Sequence, residues 1–321
     1  MSLSHSLLLK ILALPNVGNK RAMQIASELI AREITEPTDL ELYEFANELL
    51  QGKACFTSSE ERNAWPSIAN RILEESVQKN ITVLSYFDES YPESLKNISD
   101  HPVMLYAMGN LSAFKVQPAI AVIGTRSPTD WGYRSGERIA MNLAEAGINI
   151  VSGLAMGCDM AGHIGALKAK GTTTAVLAHG LQGIYPTANK PLAERILAEG
   201  GLLLSEYPIG TQPHKGYFVQ RDRLQAGLSL GTFVIETDVE GGSIHTMEYT
   251  LKYGRKLMCL SHPDALLQEL KVQGNQKYLK EGKAVAIVSK KDVDQLIESI
   301  HLGALSLSNA PISSAQQISL L

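Results

Sequence analysis

The chain has 321 residues, of which 45% are hydrophobic and 19% charged; that is apolar material enough for a sizeable core and excludes a wholly disordered protein. Its formal charge of −4 argues against a general nucleic-acid binder, although residues 110–260 carry 14 basic against 12 acidic side chains and form the only net-positive part. Three scattered cysteines (Cys55, Cys158 and Cys259) exclude a disulfide framework and a cysteine-rich zinc site. They fit a reducing, cytoplasmic setting. No apolar run reaches the length of a membrane span, and residues 1–14 run into a polar helix with no small-residue cleavage site, against a secretory signal.

Residues 1–84 read as a small all-helical domain. Apolar side chains recur at helical spacing at Leu7, Leu8, Ile11 and Leu12, and again at Ala22, Ile25, Ala26 and Leu29. Between them Leu14-Pro15-Asn16-Val17-Gly18-Asn19-Lys20 supplies the turn, and further helical patterns cover 40–50 and 68–79. The turn looks like a helix-hairpin-helix (or SAM-like) element, in which Gly18, Lys20 and Arg21 would meet a DNA phosphate. The acidic surroundings fit a hairpin used for packing or protein contact equally well.

From Ile81 the texture changes to short strands and turns. Strand-like runs follow at 119–124, 149–152, 173–178, 202–206, 232–236, 256–260 and 285–288, with helical patterns at 133–145, 160–168, 191–199, 223–228, 244–253 and 276–281. Near-continuous apolar strands alternating with helices predict a mainly parallel, doubly wound α/β sheet of extended Rossmann-like type over 85–300. Its ligand site belongs at the carboxyl ends of the strands. Residues 301–321 read as an uncharged tail.

Four loops at expected strand ends could carry chemistry. In Gly124-Thr125-Arg126-Ser127-Pro128, glycine permits close backbone approach, the hydroxyls can meet phosphate oxygens and Arg126 offers a bidentate fork; a tight turn with a salt-bridged arginine is the plainer reading. Ser152-Gly153-Leu154-Ala155-Met156-Gly157-Cys158-Asp159 again places amides at a strand end, with Asp159 expected as a helix cap and His163 as a packed histidine. The stretch 210–223 reads as a cationic loop: His214, Lys215, Arg221 and Arg223 neutralise phosphates while Tyr217 and Phe218 stack on bases, or else the aromatics simply cover the sheet. Gly241-Gly242-Ser243 would present amides at a helix start, where Ser243 is expected as a cap and Gly242 with Ser243 as an anion contact.

Two patterns are set aside. Gly227-Leu228-Ser229-Leu230-Gly231 matches a nucleophile elbow, but it should end a helix and precede a strand, the reverse of what that motif requires. The eight histidines show no HExxH and no ligand-spaced partners, so neither a metal nor a cofactor is expected.

Taken in order, these loops resemble the DprA/Smf family of DNA-processing proteins. The matching positions run through Asp88, Tyr91-Pro92, Leu95, Asp100-His101-Pro102, Leu105-Tyr106 and Gly109, then Gly124-Thr125-Arg126, Ser152-Gly153-Leu154-Ala155, Gly157, Asp159 and His163. They continue through Gly180-Leu181, Ile184-Tyr185-Pro186, Asn189, Leu204-Ser205-Glu206-Tyr207-Pro208, Gly210-Thr211, Phe218, Arg221, Arg223 and Ala226-Gly227-Leu228-Ser229. Gly242-Ser243, Thr246, Gly254-Arg255 and Gly274-Asn275 complete the series.

The resemblance implies a non-enzymatic protein that binds single-stranded DNA as a homodimer and loads the recombinase RecA in natural transformation. It implies Gly124, Thr125, Arg126, Ser152, Gly153, Arg221 and Arg223 as the DNA-facing set, to which chemistry adds Lys215 and Phe218. The chain departs from the family at Met156, where arginine is usual, at Asp222, where asparagine is usual, and at Val219 and Gln220. Fewer positive charges there should weaken phosphate binding. A C-terminal winged helix, found in many members, is not expected after Ile300. The departures motivate a second reading, a component of a defence or toxin–antitoxin module. A third is a nucleotide-binding or nucleotide-hydrolysing enzyme, since Gly241-Gly242, Thr246 and Glu248 resemble the signature of nucleotide-cleaving relatives.

Overall fold

The computed structural model describes residues 3–115 and 118–303; the expected tail, from 304 onward, lies outside them. Four helices come first, α1 (His5–Leu12), α2 (Asn19–Ala31), α3 (Asp39–Leu49) and α4 (Ser59–Gln78). Side chains fix their starts: Ser4 accepts from the Leu7 amide, Ser58 from Glu61, and Thr38 with Glu41 forms a capping box. The glycine of the Leu14–Lys20 turn, Gly18, becomes the N-cap of α2.

The sheet then alternates with helices: β1 (Thr82–Ser85), α5 (Glu93–Lys96), β2 (Met104–Gly109), α6 (Ser112–Lys115), β3 (Ala119–Ile123), α7 (Asp130–Glu145), β4 (Asn149–Ser152), α8 (Cys158–Lys168) and β5 (Thr173–Leu177). It continues with α9 (Lys190–Ala198), β6 (Leu202–Ser205), α10 (Lys215–Leu228), β7 (Gly231–Val234), α11 (Ser243–Lys252), β8 (Lys256–Leu260), α12 (Gln273–Lys280), β9 (Val285–Ile287) and α13 (Lys290–His301). The strand order is β1-β2-β6-β5-β4-β3-β7-β8-β9, antiparallel only at β1–β2 and β2–β6.

The strands from β3 to β8 are buried almost throughout because helices cover both faces, which is why they read as unbroken apolar runs. Successive strands progress from β3 through β4 and β5 to β6, and the chain then returns to lay β7 on the other side of β3. That reversal opens a crevice between the carboxyl ends of β3 and β7.

Residues 1–84 do not form a separate core. Leu8, Ile25, Leu29 and Trp65 of the helices share one apolar cluster with Tyr106, Leu177 and Leu203 of the sheet. Asn19 Oδ1 accepts from the Val103 amide at 2.9 Å, and His5 Nε2 lies 2.7 Å from Asp88 Oδ2.

Candidate functional site

A cavity of about 340 Å³ sits at the β3/β7 crossover, lined by the loops after β3, β4 and β7 and by one face of α10. Gly124 closes β3 where a Cβ would lie 2.5 Å from Cys158 Sγ and 2.6 Å from the Glu236 carbonyl, so only glycine fits. The Thr125 amide is committed, donating to that carbonyl at 2.6 Å, while its hydroxyl accepts from the Ser127 amide at 3.3 Å and keeps its own hydrogen to donate. Arg126 is different. It is exposed, and its guanidinium lies over the Phe218 ring, 5.7 Å from the centroid. Phe218 packs in turn against Tyr185 at 5.8 Å, and Tyr185 is 45% exposed.

The carboxylate of Glu236, fully buried just beyond β7, holds the loop that carries Arg126. Oε2 accepts from the Thr129 amide at 2.7 Å and Oε1 from its hydroxyl at 2.6 Å, while His262 Nε2 stands 3.4 Å away. Thr129 itself caps α7.

At the end of β4 the expected amide cradle is already occupied. Asp159 Oδ2 accepts from the amides of Gly153 and Ala155, at 3.1 and 3.2 Å. Asp159 is therefore not the helix cap: Gly157, at φ 78°, holds that position because its conformation excludes most side chains. Ser152 is sealed in the core and donates to the Val122 carbonyl at 2.6 Å. His163 is buried, hydrogen-bonds Thr173, and its imidazole is pushed down to about 3 by burial and by Arg221.

The stretch 210–223, read as a loop, becomes helix from Lys215 on. His214 caps it, its Nδ1 accepting from the Gly216 amide at 3.2 Å. Helical periodicity then sends neighbours to different faces. Phe218, Arg221, Asp222 and Gln225 line the cavity; Lys215 is exposed outside it. Arg221 donates from Nη1 to the carbonyls of Gly153 and Val176, at 2.8 and 2.5 Å, and from Nε to Asp222 at 3.2 Å. Gly153 is glycine because a Cβ would collide with that guanidinium. Arg223 points elsewhere, into a buried ion pair with Glu206.

Gly242 and Ser243 do line the cavity, with Lys271 opposite in sequence from a short turn before α12. Gly242 is the N-cap of α11 and Ser243 its first residue, with no side-chain cap, so the capping role expected of Ser243 does not arise. Glu248 lies outside the cavity and accepts from the Tyr278 hydroxyl. The Gly227–Gly231 segment ends α10 and precedes β7, as the sequence required. Arg21 donates to the Asn16 carbonyl at 2.5 Å and lines a second, open cavity of about 420 Å³ with Lys53 and Cys55; Lys20 is exposed beside it. Among the described residues no cluster of three or more histidine, cysteine or acidic side chains is placed to hold a metal ion, and no helix is long and apolar enough to cross a membrane.

Sequence reasoning missed three contributors: Glu236, Tyr185 and Lys271. Glu236 ends the strand-like run 232–236 and stands two residues past β7, where nothing in its residue type marks it as the buried acceptor for Thr129.

Doubly wound topology with a polar crevice at the crossover defines a Rossmann-like binding protein. The profile of DNA recombination-mediator protein A matches residues 82–300, and the chain belongs to that family. It is 41% identical over 198 residues to Protein Smf of Synechocystis, covering 60% of this chain but only 50% of that relative. The X-ray structure of DNA processing protein A from Streptococcus pneumoniae superposes with a TM-score of 0.74 at 29% identity, over 91% of this chain and 98% of that one. A structure of DNA processing protein A from Helicobacter pylori, which addresses that protein's single-stranded DNA binding mode, gives 0.61 at 29% identity over 70% and 97% of the two chains.

Proposed function

We propose that this chain is a non-enzymatic single-stranded DNA-binding protein. In this reading it covers incoming strands as a homodimer and hands them to a RecA-type recombinase in the cytoplasm. One observation carries it: Arg126, exposed at the mouth of the crossover cavity, lies over Phe218, which packs on the exposed ring of Tyr185. A cation beside two stacking surfaces suits a flexible strand, whose phosphates are neutralised while unpaired bases meet the rings. Such contacts position the backbone without reading a fixed sequence. Family membership supports the handover and the dimer. Gly124, Thr125, Gly242, Ser243 and Lys215 belong to the surroundings of the strand, with Gly18, Lys20 and Arg21 as a second contact on the helical layer.

The test is binding of a labelled oligonucleotide in the presence of excess unlabelled duplex. Retained single-strand binding, weakened about tenfold or more in Arg126→Ala, is the expected outcome. Equal competition by duplex, or an unchanged affinity in Arg126→Ala, contradicts it.

A further inference from the structure

The cavity differs chemically from its mouth. Arg126 and Lys271 are the lining cations with no carboxylate partner among the described residues, whereas Arg221 is committed to Gly153, Val176 and Asp222. Facing Arg221 inside are Asp159 and Asp222, both buried. A phosphate drawn inward would leave two free cations and meet two carboxylates around one already paired guanidinium. An uncharged polar group meets no such repulsion, so the strand's phosphates belong at the rim and the interior suits a base.

Asp222 is the group with capacity to spare. Its Oδ1 accepts from Arg221 Nε at 3.2 Å, and its Oδ2 has no partner among the described residues yet is not sealed from the cavity it lines. Asp159, by contrast, already accepts two amides. The volume of about 340 Å³ lies within the range of small-ligand pockets, ~300–1,000 Å³.

The geometry points to Asp222 as a base-selecting residue: the cavity takes one unstacked base of the bound strand, and Asp222 Oδ2 accepts a hydrogen bond from its exocyclic amino group, favouring cytosine, adenine or guanine over thymine. This rests on the single-strand binding proposed above. Cytosine N4 is a donor that carboxylates accept from in base recognition. Thymine instead presents two carbonyl oxygens flanking its one N–H, which a carboxylate repels. A buried acceptor left facing them loses its hydrogen bond to water without replacement. Arg221 on the same helix, Asp159 from α8 and Arg126 from the loop after β3 are the charged groups facing Asp222.

The experiment compares oligo-dC with oligo-dT of equal length by fluorescence anisotropy, at about pH 8.5, where Asp222 is ionised and oligo-dC stays unpaired. Wild type is expected to prefer oligo-dC by roughly fivefold or more, and Asp222→Asn to bind the two alike, because an amide can turn either a donor or an acceptor to the base. Equal wild-type affinities would overturn the inference while leaving single-strand binding intact. A preference that persists in folded Asp222→Asn would also overturn it. Failure of both oligonucleotides to bind wild type would bring down the single-strand reading, and this inference with it.

Discussion

Arg223 and Glu206 form an ion pair inside the protein, Nη2 to Oε2 at 2.5 Å, with side chains 9% and 7% exposed. Against the cost of burial, Glu206 and then Asp100 hold the guanidinium in its charged form. Two residues from Arg221 in sequence, Arg223 thus serves the packing beneath α10 and not the cavity. Replacing it with alanine strands a buried carboxylate, for which about 3–5 kcal/mol of stability is the usual loss. Chemical denaturation should show that loss in Arg223→Ala, while Arg126→Ala stays within about 0.5 kcal/mol of wild type. The opposite ranking would mean that Arg223 is a binding residue.

The Glu236 carboxylate reaches the loop that carries Arg126 through Thr129, alongside the backbone bond from the Thr125 amide to the Glu236 carbonyl. Glu236→Ala removes the acceptor of both the Thr129 amide and its hydroxyl, with an expected stability loss of roughly 1–3 kcal/mol. The loop carrying Arg126 loosens, so single-strand affinity should fall even though the altered side chain is inaccessible to DNA. Affinity measured at a temperature where the variant is fully folded checks this. An unchanged affinity would show that the loop needs no such anchor.

Acidity offers a separate handle. Burial pushes the Asp222 carboxyl up from an ordinary 3.8 to about 7, with Arg221 opposing and Asp159 reinforcing the shift. Between those values the folded chain binds a proton that the unfolded chain has released, so this group's contribution to stability declines as pH rises from about 4 to about 7 and is flat above. Asp159 and Glu206 are raised by burial in the same sense. The decline should be shallower in Asp222→Asn than in wild type, measured as denaturation midpoints across that range. Parallel profiles would mean that Asp222 ionises normally.

The sheet was legible because strands covered on both faces are written as apolar runs, and 149–152 and 256–260 coincide with β4 and β8. Helix α13 escaped because its apolar positions, Val293, Leu296 and Ile300, lie in a strongly charged segment. The site was legible by loop but not by side chain. Glycine stands at 124 and 153 because other parts of the protein pack against both, and a sequence does not say whether an amide faces a ligand or an internal carboxylate: Asp159 takes those of Gly153 and Ala155. Nor does composition separate neighbours on a helix: Arg221 and Arg223 look alike in a basic stretch, and the turn of α10 sends them to different partners.

The most direct measurement is the salt dependence of oligonucleotide affinity in wild type and Arg126→Ala. If Arg126 neutralises a phosphate at the mouth of the crossover cavity, log K should fall with log salt in wild type, and the slope should be shallower by about 0.7 in the variant, the share of one single-strand phosphate contact. Superimposable slopes, or binding insensitive to salt, would contradict the account.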